Sequence, residues 1–219
     1  MATKKSQRIG IWVIAGAMMI GTLGGFVAMM FAPGNEARDQ AALNKAQEEY
    51  SAAMTEYQTK VTAQKEQYFD ELSSYSSRVG TFDKDSVKEL KTEDLKVGDG
   101  EEITDDSSLG MFYIGWNPDG KVFDQSIDGN TLKDPFAIEK VSGEGMIGGW
   151  KKGIVGMKIG GVRELTIPSA QAYGEEGSGD DIPANTPLKF VVLAVPSISE
   201  PEMPQLIKDY YKKEYGVDF

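Results

Sequence analysis

Cysteine and histidine are both missing from the 219 residues of this chain. Without cysteine there is no disulfide, no thiolate nucleophile and no thiolate metal site. Without imidazole there is no Ser-His-Asp machinery and no side chain that ordinarily titrates near neutrality. Catalysis in such a chain rests on carboxylates, lysine, tyrosine, backbone groups or binding alone. Basic residues are also in deficit. Lysine and arginine number 23 against 34 aspartates and glutamates, a formal charge of −11. That balance argues against a broad nucleic-acid-binding role and for simple solubility.

Charge disappears altogether from Ile9 to Ala32, a run of 24 residues. About 20 apolar residues span a bilayer, and the run exceeds a typical signal-peptide core. Lys4, Lys5 and Arg8 precede it, while Glu36, Asp39, Glu48 and Glu49 follow. The expectation is a basic cytoplasmic end over residues 1–8 and an uncleaved transmembrane helix over 9–32. The rest of a single-pass cell-membrane protein then lies outside the cytoplasm. A removed signal is the alternative, although Pro33 directly after Ala32 disfavours cleavage there. Ala17, Gly21 and Gly25 recur every four residues and would permit close helix contact.

Proline and glycine are absent from Asn35 to Val79, where alanine, glutamate, glutamine and lysine dominate. That composition favours helix. Leu43, Ala46, Tyr50, Ala53, Tyr57, Val61, Gln64, Tyr68, Leu72, Tyr75 and Val79 follow one another at gaps of three or four, as in a coiled coil. A stalk over 35–79 would measure roughly 65 Å. Alanine and tyrosine make a weak seam. A solvated spacer is the preferred reading, with a weak homodimer through the stalk as the alternative.

From Val87 the pattern changes to short apolar runs between turn residues. Leu109 to Trp116, Lys121 to Asp124, Pro135 to Ile138, Val162 to Ile167 and Leu188 to Val195 read as strands. Asn117-Pro118-Asp119-Gly120 is a turn. A single helix, around Ile147 to Val155, puts Ile147, Trp150 and Ile154 on one face. Many strands and one helix predict an α+β domain over 87–197, an antiparallel sheet wrapped on a short helix. A tail over 198–219 carries Leu206, Ile207, Tyr210 and Tyr211 as one face of a surface helix or partner motif.

The order of motifs in this domain is dense. Tyr113-Ile114-Gly115-Trp116 precedes Asp119-Gly120-Lys121-Val122-Phe123-Asp124-Gln125-Ser126; then come Pro135-Phe136 and Met146-Ile147-Gly148-Gly149-Trp150. Ile167-Pro168, Ala172-Tyr173-Gly174, Ile182-Pro183-Ala184-Asn185 and Leu188-Lys189-Phe190 complete it. The series resembles the FKBP-type peptidyl-prolyl cis-trans isomerases over Val87 to Val195. The resemblance implies a pocket with Trp150 as floor and Tyr113, Phe123, Phe136, Met146, Ile147, Tyr173, Ile182 and Phe190 as walls. It makes Asp124 the family's acid, and assigns ligand contacts to the Ile147 N–H and the Tyr173 hydroxyl. Independently of the family, an aromatic concavity with few polar groups suits the apolar ring of proline.

The implied activity is cis–trans exchange of X-Pro bonds in unfolded or exported polypeptides, with no metal, cofactor or covalent intermediate. The alternative is a non-catalytic, chaperone-like module of the same fold that binds proline segments. One departure stands out: Glu175, Glu176, Asp180 and Asp181 put four carboxylates on the loop over the pocket. Asp181 occupies a place that is usually apolar in the family, so a charged rim is expected. Trp116, a large side chain beside the hairpin turn, has no role legible in the sequence.

Overall fold

A computed structural model describes residues 35–218. The apolar run 9–32, with its expected transmembrane helix and small-residue face, lies outside them. Among the described residues no helix is long and apolar enough to cross a membrane.

Helix α1 runs over Asn35–Ser74 and ends in a 3-10 turn, Tyr75–Arg78. Eight strands follow with one short helix among them: β1 Lys91–Lys96, β2 Leu109–Trp116, β3 Val122–Gln125, β4 Ile127–Asp128, β5 Thr131–Leu132, β6 Phe136–Ile138, α2 Gly148–Gly153, β7 Val162–Ile167 and β8 Leu188–Pro196. Helix α3, Gln205–Tyr215, closes the chain. The main sheet has the order β1-β7-β8-β2-β3, with β6 also paired to β2, and all its pairings are antiparallel. β4 and β5 form a separate small hairpin. The expected antiparallel α+β architecture is present. β1 was not anticipated: Lys-Thr-Glu-Asp-Leu-Lys reads as polar because an edge strand turns most of its side chains to solvent.

The described residues form two compact units. One spans Tyr57–Ser199; the other joins the described residues up to Glu56 to those from Glu200. The break between the units falls within α1, before Tyr57, and the sheet's unit includes the residues from there to the expected domain start at Val87. The second half of α1 is not a solvated spacer but part of the sheet's own unit. The cause is visible in the strands. On β2, Leu109 and Met111 enter one buried cluster and Phe112, Ile114 and Trp116 another. On β8, Leu188, Phe190, Val192 and Ala194 face the first, Val191, Leu193 and Val195 the second. Side chains alternate across a strand, so both faces of this sheet are buried. α2 supplies Trp150 and Gly153 to the first face, while Tyr68, Phe69 and fully buried Leu72 of α1, with Tyr75, Val79 and Phe82 after it, cover the second. Trp116 belongs here, at 1% exposure, which is the role its sequence position did not disclose.

In the other unit, Leu43, Ala46 and Tyr50 of α1 pack with Ile207, Tyr211, Met203 and Tyr210. The tail is thus a helix with a buried face, and Gly216 ends it in a left-handed conformation (φ 67°). Leu206, expected on that face, is instead exposed. The residues proposed as an intermolecular seam are therefore engaged within the chain in both units, which leaves the homodimer without support.

Candidate active site

The Trp150 floor is set by two close contacts. α2 lies so near β7 that a Cβ on Gly149 would stand 2.3 Å from the Ile167 side chain. Only glycine allows that approach. At the other end of α2, the Arg163 guanidinium donates to the Gly153 carbonyl at 2.8 Å and the Val155 carbonyl at 3.2 Å, and grips Asp94 at 2.6 and 3.1 Å. A buried arginine thus satisfies the helix's last carbonyl and one just beyond its end, and ties them to β1.

Around the indole stand three rings, each edge to face. Tyr113 of β2 is 5.2 Å away at 78°, Phe190 of β8 5.3 Å at 83°, and Phe136 of β6 5.9 Å at 88°. Phe123 of β3 joins through Phe190 at 5.5 Å. Aromatic quadrupoles favour this arrangement over face-to-face stacking. Gly115 leaves room for it, since a Cβ there would meet Phe190 at 2.6 Å and Phe123 at 2.8 Å. Trp150 is buried and its Nε1–H has no partner among the described residues, whereas Phe136 remains 40% exposed. Met146 and Ile147 lie partly buried against the same cluster, and Ile182 is fully inside it. Every expected wall residue except Tyr173 is therefore in this cluster or in ring contact with it.

Asp124 sits at the edge of the rings. The Tyr113 hydroxyl donates to its Oδ2 at 2.5 Å, the Gln125 N–H donates to Oδ1 at 2.8 Å, and Lys133 Nζ lies 3.7 Å from Oδ1. Burial, followed by the hydrogen bond to Asp124, pushes the Tyr113 phenol well above its ordinary value. Burial and then the charge of Asp124 also raise that of Tyr173. Both phenols remain protonated donors at neutral pH. Tyr173 is 39% exposed, and its hydroxyl has no partner among the described residues. The Ile147 amide, preceding α2 with an extended backbone, has no backbone acceptor among them either. The site thus presents an aromatic floor, one carboxylate engaged by a tyrosine, and two donors without protein partners.

Three residues of this region were not singled out in the sequence. Ser126, almost fully buried, accepts the Tyr113 N–H on its Oγ at 3.0 Å and returns its own N–H to the Tyr113 carbonyl at 2.8 Å. Asn117 and Lys121, on the β2–β3 turn, both engage Asp181. Of the four loop carboxylates, that of Asp181 is paired with the Lys121 ammonium across to the hairpin. Glu175, Glu176 and Asp180 form no ion pair among the described residues. A buried serine in a turn sequence gives no signal that it holds a tyrosine.

The sequence model of the FKBP-type peptidyl-prolyl cis-trans isomerases matches residues 99–194. An FK506-binding protein of Neisseria meningitidis serogroup B is 41% identical over 103 residues, 47% of this chain and 91% of that protein. The chain belongs to this family. FK506-binding protein 4 of Rhizopus delemar is 46% identical over 103 residues, again 47% of this chain. The chain spans only about a quarter of that fungal relative, 26% of its length. A peptidyl-prolyl cis-trans isomerase structure from Pseudomonas syringae pv. tomato is 27% identical with a TM-score of 0.42, covering 61% of this chain and 96% of that one. The FKBP match runs from before β2 into β8, ending at residue 194, and leaves out α1 and β1, so the helix covering the second face of the sheet lies outside it.

Proposed function

We propose that the chain catalyses cis–trans exchange at X-Pro bonds on the Trp150 floor, with Tyr113, Phe123, Phe136, Met146, Ile147, Ile182 and Phe190 around the ring and Asp124 and Tyr173 at its edge. The observation that carries this is the indole bounded by three rings within 5.9 Å, beside a carboxylate already engaged by a tyrosine. The uncatalysed exchange takes tens of seconds because the amide has partial double-bond character. No bond breaks. The site need only favour the twisted amide, which has lost conjugation and polarity, over the planar one. An apolar cavity acts in that direction. The Ile147 N–H and the Tyr173 hydroxyl orient the peptide, and Asp124 polarises the site without accepting a proton. A thousandfold acceleration needs only about 4 kcal/mol of differential stabilisation.

The test is NMR exchange between the cis and trans forms of an Ala-Pro-Phe peptide with the full chain. Exchange faster than the uncatalysed rate is expected. A folded chain that leaves the rate unchanged would refute the enzyme and favour the non-catalytic proline-binding module. Charge placement supports a further part of the reading. With Lys4, Lys5 and Arg8 before the uncharged run 9–32, the isomerase domain is tethered outside the cell membrane and assists exported or envelope proteins. Protease added to intact cells should then release a fragment containing Trp150; protection until the membrane is broken would reverse the orientation.

A further inference from the structure

The loop from Tyr173 to Asn185 carries two of the site's walls, and its placement depends on the β2–β3 turn. Asn117 is the hub of that turn. Its N–H donates to the Lys121 carbonyl at 3.1 Å and its carbonyl accepts the Gly120 N–H at 3.0 Å. Its Oδ1 accepts the N–H groups of Asp119 and Lys121, both at 3.1 Å. These four bonds close the turn and leave Nδ2 to spare. Nδ2 donates at 3.0 Å to the main-chain carbonyl of Asp181, and the Lys121 ammonium meets the carboxylate of the same residue. The turn is also held from behind: the Phe82 N–H donates to the Pro118 carbonyl at 3.0 Å, and Phe82 packs on the second cluster.

Asp181 is a well-chosen point of attachment. The next residue, Ile182, is 4% exposed among the residues that surround Trp150. Its carbonyl accepts the Ser178 N–H at 2.7 Å, so fixing Asp181 fixes the crossing of the loop. The far end is closed by the Asn185 N–H on the Gly174 carbonyl at 2.7 Å, one residue from Tyr173. Asn117 is only 6% exposed, whereas the side chains of Lys121 and Asp181 are 62% and 39% exposed. Exposed ion pairs contribute little; a part-buried amide hydrogen bond contributes more.

We propose that Asn117 is a positioning residue for the isomerase site, a strut that sets Ile182 and Tyr173 over the Trp150 floor through the Asp181 carbonyl, with Lys121 as a weaker second brace. The proposal rests on the reading of the site given above. It makes the β2–β3 turn, whose residues do not line the rings, a determinant of substrate affinity.

Asn117→Asp tests it in the full chain. The substitution keeps the Oδ1 acceptor that closes the turn and removes the Nδ2 donor to the loop. Because Ile182 and Tyr173 contact the peptide in ground and transition states alike, the loss should fall on KM, about five-fold, with kcat within two-fold. A chain that was merely less folded would lose apparent kcat at constant KM. Amide hydrogen exchange should accelerate at Gly177, Ser178 and Asn185 while Val191 to Leu193 on β8 keep their protection. Lys121→Met should act in the same direction by about two-fold or less. Unchanged KM with unchanged loop protection overturns the strut. So does equal loss of protection in loop and sheet, or a larger effect from Lys121→Met than from Asn117→Asp. If the wild-type chain proves inactive, the functional reading fails, and amide exchange in the loop alone still decides the strut.

Discussion

The two faces of one sheet have been put to opposite uses. On the first, Tyr113, Phe190 and Phe136 meet Trp150 edge to face, and Phe136 and Tyr173 keep about two fifths of their surface in water, 40% and 39%. On the second, Leu72, Phe112 and Leu132 are completely buried, and Ile114 and Trp116 nearly so. Its one buried carboxylate, Glu164, is met from both sides by Arg78 and Lys189, each at 2.8 Å. Neighbouring residues of β2 and β8 serve the two faces in strict alternation. An aromatic surface left open to bind a ring sacrifices burial. A second face closed by α1 restores it through the same strands, without touching the site. Stability and ligand contact are thereby assigned to different residues, and the assignment can be broken one face at a time.

The largest effect should come from the closed face. Leu72→Ala removes a fully buried side chain that covers the sheet from α1. Large-to-small substitutions of this kind cost about 2–5 kcal/mol. Denaturant unfolding of the full chain should show that loss, while kcat/KM per folded molecule at low temperature stays near the wild-type value. A fall in kcat/KM comparable to the fall in stability would mean that the two faces are not separable.

A smaller effect, confined to function, is expected from the open face. Asp124→Asn preserves shape and removes the charge that accepts the Tyr113 hydroxyl. Exchange at X-Pro bonds should slow several-fold, and the unfolding midpoint should move little, because Asp124 is half exposed, at 51% of its side chain. Together with Leu72→Ala this forms a crossed pair, one variant losing stability and the other losing rate. Asp124→Asn unfolding as readily as Leu72→Ala would remove the distinction.

The contrast between the faces also explains what could be read in the sequence. β2 and β7 have the bounds expected of them, because their apolar runs stop at sharp turn residues. The ring residues were legible as an ordered set. The second cover was not, although its signal was present: Leu-Gly-Met-Phe-Tyr-Ile-Gly-Trp and Val-Val-Leu-Ala-Val are apolar at successive positions, the mark of a strand buried on both sides. One short helix could cover only one side. The weak seam at Tyr68, Leu72 and Tyr75 therefore supplies the missing layer rather than a solvated spacer. The partners of Asp124 and Asp181 were illegible for another reason. Tyr113, Lys121 and Asn117 reach them across 11, 60 and 64 residues of sequence, distances at which only the folded sheet defines neighbours.

The smallest effect is a pH dependence to which the open face contributes through Tyr113 and Tyr173, while burial raises the Tyr68 phenol on the closed face in the same direction. The Tyr113 phenol is raised above 10.0 by burial first and by the Asp124 hydrogen bond second. In the unfolded chain the same phenol titrates near its ordinary value of about 10. Below that pH both states hold the proton, and the contribution to stability is fully present. As pH rises above 10 the unfolded chain releases the proton while the folded chain retains it, so stability falls progressively toward the folded pKa. Tyr173 is raised in the same direction, and so adds to the slope. Unfolding free energies measured from pH 8 to 11 should decline above pH 10 for the wild type. Tyr113→Phe removes the titrating group and should flatten part of that decline, at the cost of the Asp124 hydrogen bond throughout the range. Leu72→Ala should lower the whole curve without changing its slope. Parallel curves for the wild type and Tyr113→Phe would show that Tyr113 does not hold its proton through folding, and would detach the Tyr113–Asp124 pair from the energetics of the open face.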